Sequence, residues 1–162
     1  MIEALALVDA PFECVILGDG GHRAHCEALS KRLGLGGRVQ FKGFVPHDEI
    51  KGYYRECSVV AVSSLWPEPF GMVGIEAMRY ALPVVAFDAG GIREWLEDGE
   101  TGHLVPWGDR AAYAQRVRQL LRDKEQARRM GEAGLRRVTE RFSFEGYVRG
   151  LESSLQRLAN GG

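Results

Sequence analysis

The sequence predicts an α/β fold, a parallel sheet with helices on both faces, and three observations carry that prediction. The first is a series of compact runs rich in Val and Ile: "ECVILG" (13–18), "RVQFKG" (38–43), "SVVAVSS" (58–64), "PVVAF" (83–87) and "GHLV" (102–105). Several are almost continuously apolar, as strands covered on both faces are. The second is what lies between them. "GHRAHCEALSKRLGL", "HDEIKGYYREC", "GMVGIEAMRYA" and "GIREWLEDG" are each long enough for a helix of at least two turns, and strand–helix alternation implies crossover connections. The third is a helical last third. Asp109 is placed to cap one helix, and Ser143 another whose apolar stripe is Phe144, Tyr147, Val148, Leu151, Leu155 and Leu158. The expected strands are 13–17, 38–42, 58–62, 83–87 and 102–105. No internal repeat or low-complexity linker divides the chain, so one domain is expected.

The opening segment departs from this pattern. "MIEALALV" has helical apolar spacing at Ile2, Leu5 and Val8, and no strand precedes it. An α/β domain usually opens with its innermost strand, so the chain is expected to start part-way through a helix.

Composition bounds the function. A chain of 162 residues can bury a real core, and 45% hydrophobic with 27% charged residues is globular. No apolar run approaches the ~18–20 residues of a bilayer span, and the N-terminus lacks the basic flank of a signal peptide. Cys14, Cys26 and Cys57 are odd in number and form no CxxC pair. That argues against a disulfide framework and a zinc cage, and fits a reducing cytoplasm. The net charge is −1, yet residues 110–149 carry eleven Lys/Arg against five Asp/Glu, or +6, which leaves −7 elsewhere. Glu125–Arg129, Glu132–Arg136 and Glu145–Arg149 have the acid-first i,i+4 spacing of solvated helices. Weak contact with an anionic membrane surface, at the inner face, is the alternative reading of this stretch. Nucleic acid is not an expected partner, because no stacking aromatics are interleaved with the basic residues.

The stretch "WPEPFGMVGIEAM" (66–78) carries the chemistry. Pro69 forces Glu68 into extended geometry, so its side chain leaves a loop rather than a helix face. Gly71 permits a close backbone approach, and a helix starting near Met72 presents unpaired N–H groups. The loop follows a strand, at the carboxyl end of a parallel sheet, where open α/β folds bind ligands. Helix N-termini attract phosphate, whereas carboxylates repel it. Glu68 and Glu76 are therefore suited to adjacent hydroxyls on either side of a diphosphate, which describes a nucleotide-sugar. The plainer readings are a solvent-facing Glu68 and a Glu76 that only serves the helix dipole. Paired carboxylates for hydrolysis lack nameable partners.

Other motifs are weaker. "GDGGHR" has Arg23 where the third glycine of a dinucleotide fingerprint belongs, and a P-loop is absent. His22, His25 and Cys26 have helical spacing on one exposed helix, which is poor support for a metal site. Trp66 and Trp95 are expected to pack in the core or at its rim rather than to line a pocket.

"EPFGMVGIEAM" resembles the E-x7-E signature of the retaining, GT-B-fold glycosyltransferases grouped as glycosyltransferase family 4 or group 1. The likeness runs along the chain, through the segment from "VILGDGG" to "PEPFG", then "ALPVVAFDAGGIREWLEDGETGHLVPWGD" and the closing "RFSFEGYV". It implies a donor-binding domain spanning residues 1–162, with a C-terminal helix at about 143–159. This would be a Rossmann-like parallel sheet, the C-terminal half of a GT-B fold. The implied donor is a UDP-, GDP- or ADP-sugar, with no cofactor and no metal, and the implied reaction is retaining transfer of a hexosyl group to an acceptor.

By the same resemblance Glu68 is the catalytic candidate, accepting hydrogen bonds from donor-sugar hydroxyls. Backbone around Phe70, Gly71, Met72 and Val73 would contact sugar and diphosphate, and Glu76 would hold the ribose. Gly18 and Gly20 would let backbone pass close to the ligand, Phe44 and Val45 would lie near the base, and Gly90 and Gly91 would form another close-approach loop. The leaving diphosphate would assist deprotonation of the acceptor, with no protein nucleophile assigned.

The departures generate further expectations. The family's donor domain opens with a strand carrying an Arg, followed by a Lys-Gly, and this chain begins just after that point. The expected domain is thus truncated at its N-terminus, with the first, central strand missing. The family's strand order of 3-2-1-4-5-6 would then require the sheet to close directly between 13–17 and 58–62, or to borrow a strand. The N-terminal acceptor domain would be an absent partner, and the isolated chain would be inactive or nearly so. Arg23 is a partial substitute for the lost cations, although a solvated helix position is its simpler reading. The competing reading is a non-catalytic module that binds nucleotide-sugar and needs a partner N-terminal domain. Base, sugar and acceptor stay open.

Overall fold

The computed structural model describes residues 1–159. A short helix α1 (Ile2–Leu5) leads into strand β1 (Cys14–Leu17), helix α2 (Arg23–Arg32) and strand β2 (Val39–Gly43). Helix α3 (His47–Glu56), strand β3 (Val60–Val62), helix α4 (Met72–Arg79) and strand β4 (Val84–Phe87) follow. A five-residue 3-10 helix (Gly90–Glu94) precedes strand β5 (Gly102–Val105), and the chain continues through α5 (Arg110–Arg122), α6 (Lys124–Arg141) and α7 (Phe144–Ala159). Each expected strand run forms a strand, and every ladder is parallel.

Local chemistry sets the helix ends. Asp109 accepts from the Ala112 N–H at 2.9 Å and opens α5, and the Ser143 hydroxyl accepts from the Gly146 N–H at 3.1 Å and opens α7. Asp123 ends α5 and also starts α6, accepting from the Gln126 N–H at 2.8 Å. "GIREWLEDG" falls short of the expected helix and makes only the 3-10 segment. The chain turns away because Thr101 captures the Glu97 N–H at 2.9 Å and Gly99, at φ 80°, reverses direction into β5.

The strands form two sheets, β1 with β2 and β3–β4–β5. Direct closure between β1 and β3, or a borrowed strand between them, is not what the structure adopts. Side chains rather than a ladder join the two sheets: Cys14 and Ile16 of β1 and Val59 and Ala61 around β3 pack on one cluster with Val85, Phe87 and Tyr113. Helix α1 helps to bridge them, because it packs on both α2 and α5 with Ile2, Leu5 and Val8 buried in that cluster. Coverage on both faces is therefore complete only for β4, whose four residues are all buried. Val15 of β1 is left exposed.

Helix α6 closes the second sheet from one side. Gly131 lies against the Ala81 carbonyl and Gly134 against Met78, so α6 and α4 approach closely. The Tyr113 hydroxyl donates to the Val85 carbonyl at 2.9 Å, and burial pushes its pKa up. The three cysteines are free, and burial raises the Cys14 thiol to about 11, with a smaller contribution from Cys57. On α6, Glu125 pairs with Arg129 at 3.7 Å as its spacing predicts, while Glu132 pairs with Arg128 rather than Arg136. The apolar stripe of α7 faces outward, with Phe144, Tyr147, Leu151, Leu155 and Leu158 exposed. Among the described residues no helix is long and apolar enough to cross a membrane.

His103 of β5 generates a prediction. It is buried, its Nδ1 lies 3.4 Å from an Asp98 oxygen, and its Nε2 has no partner among the described residues. Burial, reinforced by the charge of Arg116, lowers its pKa, and Asp98 only partly opposes this. The folded state thus resists a proton that the unfolded chain accepts at about 6.5. Stability is fully present above that value and is lost as pH falls through it. The thermal midpoint is expected to drop between about pH 7.5 and 5 more steeply for the unmodified chain than for His103→Gln, as measured by circular dichroism.

Candidate active site

Because the ladders are parallel, the strands deliver their carboxyl ends to one side of each sheet, and the residues singled out in the sequence follow those ends. Gly18 and Gly20 follow β1, and the Gly18 N–H donates to the Gly43 carbonyl at 2.7 Å, tying the ends of β1 and β2 together. Phe44 follows β2 and is 81% exposed, while Val45 is half-buried beside it. Arg23 has local partners of its own. Its guanidinium donates to Glu27 at 2.8 Å, to Asp19 at 3.4 Å and to the Phe41 carbonyl at 3.2 Å, and Glu27, with Asp19 adding to it, holds its pKa up.

The loop after β3 is held by backbone contacts. Gly71 sits at φ 82°, a left-handed position that turns the chain into α4, and the first N–H groups of that helix, at Met72 and Val73, have no side-chain cap. The Glu68 carbonyl accepts from the Gly91 N–H at 2.7 Å, and the Phe70 carbonyl accepts from the Trp95 indole at 2.5 Å. A Cβ on Gly90 would run into Glu68 backbone, and one on Gly91 into the Pro69 carbonyl. Trp95 is wholly buried and fills the space over Gly74, so it is a core residue, as expected, whereas Trp66 is exposed. Within the loop, the Ser64 hydroxyl donates to a Glu68 carboxylate oxygen at 2.7 Å.

Glu76 lies in a different setting. A cavity of about 440 Å³ separates α3 from α4 and is lined by His47, Lys51, Tyr54, Met72, Glu76 and Arg79, among others. The Tyr54 hydroxyl donates to Glu76 Oε2 at 3.3 Å, and the Tyr54 ring stacks on Tyr80 at 5.1 Å between centroids. Burial and then the neighbouring Glu76 charge push the Tyr54 phenol well above its ordinary range, so it remains a donor at neutral pH. A second cavity of about 320 Å³, lined by Gly99, Glu100 and Arg129, lies beside the turn that enters β5, away from the carboxyl ends.

The cavity thus unites Met72 and Glu76 with the face of α3 that follows Phe44 and Val45. Glu68 is not part of its wall and pairs with Ser64 instead, and Gly18 and Gly20 belong to the other sheet. Sequence reasoning missed Tyr54, Ser64 and the tie made by Trp95. Ser64 carried a faint signal, four residues before Glu68, whereas Tyr54 lies twenty-two residues from its partner and carried none.

Comparison with known proteins agrees with this architecture. The profile of the family "Glycosyl transferases group 1" matches residues 1–137. The glycosyltransferase EpsD of Bacillus subtilis is 35% identical over 148 residues, covering 88% of this chain and 37% of its own. Among solved structures, HepE of Anabaena in complex with UDP and glucose superimposes with a TM-score of 0.85 at 30% identity, over 96% of this chain and 44% of that one. Sucrose-phosphate synthase of Thermosynechococcus elongatus gives 0.85 at 33% identity, over 99% and 43%. The chain belongs to the group 1 glycosyl transferases, and its parallel α/β architecture is that of the C-terminal half of a GT-B fold. It spans less than half the length of the relatives it matches.

The loop contacts predict the effect of filling one clearance. Gly91→Ala places a methyl against the Pro69 carbonyl, and overpacking of this kind costs about 1–3 kcal/mol. Urea unfolding should show that loss, with proteolytic cleavage of the 66–71 segment accelerated beyond what the global loss explains.

Proposed function

We propose that residues 1–162 form a single donor-binding domain of a glycosyltransferase that holds a nucleotide-diphosphate sugar for retaining transfer of a hexosyl group. The observation that carries this reading is the cavity between α3 and α4, whose lining includes Glu76 and Met72 at the uncapped first turn of α4, with Glu68 on the adjoining loop. In this reading Glu76 accepts from ribose hydroxyls, and Phe70, Gly71, Met72 and Val73 present backbone to the diphosphate. Glu68, steadied by Ser64, accepts from the sugar, and Phe44 and Val45 flank the base, with Gly18 and Gly20 beyond. HepE of Anabaena is known in complexes with UDP and with UDP-glucose, which supports a UDP-sugar as the first donor to test against GDP- and ADP-sugars.

The roles of the two carboxylates separate in a binding experiment. Glu76→Ala should weaken UDP and UDP-glucose alike, and Glu68→Ala should weaken only the sugar-bearing ligand. Hydrogen bonds to a charged acceptor are worth about 1.5–3 kcal/mol, so each affected dissociation constant should rise roughly tenfold to a hundredfold by calorimetry. Equal losses for both ligands in both variants would overturn these roles.

The second reading, a binding module that needs a partner, is supported by Arg23, whose guanidinium is already shared among Glu27, Asp19 and the Phe41 carbonyl. Preorganised donors at a developing charge supply a few kcal/mol each, and holding the acceptor against the anomeric carbon supplies about 7–11 kcal/mol. We place the acceptor-holding surface outside this domain. The 162-residue chain alone, incubated with its best donor and a panel of sugar and lipid acceptors, should show no more than slow donor hydrolysis. Turnover near ~1 s⁻¹ would mean that the domain needs no second wall.

A further inference from the structure

We propose that Tyr54 is the positioning residue that presents Glu76 to the ligand, and that it thereby sets a preference for ribose over sugars lacking the 2′ and 3′ hydroxyls. The proposal rests on the donor-binding reading above. Glu76 has one oxygen, Oε2, held by the Tyr54 hydroxyl, and the other, Oε1, has no hydrogen-bond partner among the described residues. A carboxylate held by one oxygen cannot rotate freely, so its remaining lone pairs point in a set direction. Pairs of vicinal hydroxyls reward that rigidity, because two donors must meet one acceptor group at once.

Tyr54 is itself immobilised. Its ring stacks on Tyr80 with 21° between the planes, and it is half-buried on α3 while Glu76 sits on α4. The contact therefore spans the cavity and ties its two walls. The surroundings give it a further task. His47, Lys51 and Arg79 also line the cavity, and the long Lys51 and Arg79 side chains are exposed. A loose Glu76 carboxylate would be free to swing toward one of these cations. The phenol, a neutral donor at working pH, holds the carboxylate without cancelling its charge.

The test is Tyr54→Phe, which keeps the ring and its stack and removes only the hydroxyl. UDP and 2′,3′-dideoxy-UDP are titrated calorimetrically into the unmodified chain, Tyr54→Phe, Glu76→Gln and the double variant. The expected result is a rise of about threefold to tenfold in the dissociation constant for UDP in Tyr54→Phe, with the dideoxy ligand unaffected. The double variant should be no worse than Glu76→Gln alone. A merely structural tyrosine would weaken both ligands equally or lower the melting temperature alone, and either outcome overturns the proposal.

A ligand-free measurement separates this failure from failure of the donor-binding reading. The Glu76 side-chain carboxyl carbon resonance, at neutral pH, should move on Tyr54→Phe. If the unmodified chain binds neither UDP nor UDP-glucose, the donor reading falls and the ribose preference falls with it. The resonance then still decides whether Tyr54 holds Glu76, and an unmoved signal refutes that as well.

Discussion

The segment 66–71 has no regular secondary structure, and the placement of Glu68 depends on one contact: loop backbone pressed against the turn at Gly90 and Gly91. Two carbonyls of the loop are taken up, one by the Gly91 N–H and one by the Trp95 indole, so these half-buried acceptors find partners. Any side chain on either glycine would occupy space already filled by backbone. Trp95 extends the same constraint downward, since its ring lies over Gly74 and fixes how closely the first turn of α4 sits on the core. Position of the loop, start of α4 and direction of Glu76 are thus linked through one buried indole and three positions without side chains.

The sheet shows how much of an α/β architecture survives without a continuous ladder. β4 is buried along its length and organises the larger sheet, while β1 and β2 form a separate pair. The two are held in one core by side chains from both, with Tyr113 reaching from α5 to the Val85 carbonyl and α1 spanning toward α2 and α5. Apolar burial is non-directional, so it can join two sheets whose facing edges exchange no hydrogen bonds. The loops after β3 and β4, which carry Glu68, Gly90 and Gly91, belong to the larger sheet.

Electrostatics divides the candidate site into committed and available groups. Arg23 and Arg93 are cations at the carboxyl ends, yet Arg23 is tied to Asp19 and Glu27, and Arg93 to Asp88. Glu68 and Glu76 each accept from a neutral hydroxyl, Ser64 and Tyr54 respectively, which orients a carboxylate without cancelling its charge. The two carboxylates thus have neutral partners, Arg23 and Arg93 have charged ones, and Lys51 and Arg79 line the cavity without an ion pair among the described residues.

The sequence by itself determined the strands, their parallel sense, the caps at Asp109 and Ser143, and the family, because each rests on patterns within a few residues: alternation, turn chemistry, a motif in fixed order. It also located Glu68, Gly71 and Glu76 on one loop and one helix. Only the tertiary structure decided that the two carboxylates occupy separate settings, that Arg23 is spent on local partners, and that "GIREWLEDG" stops after a 3-10 turn to let Trp95 enter the core. It alone decided that the strands divide into two sheets and that Tyr54 meets Glu76. The reason is common to all of these. They are contacts between residues distant in the chain, set by which surfaces bury together, and no local propensity encodes a partner twenty-two positions away.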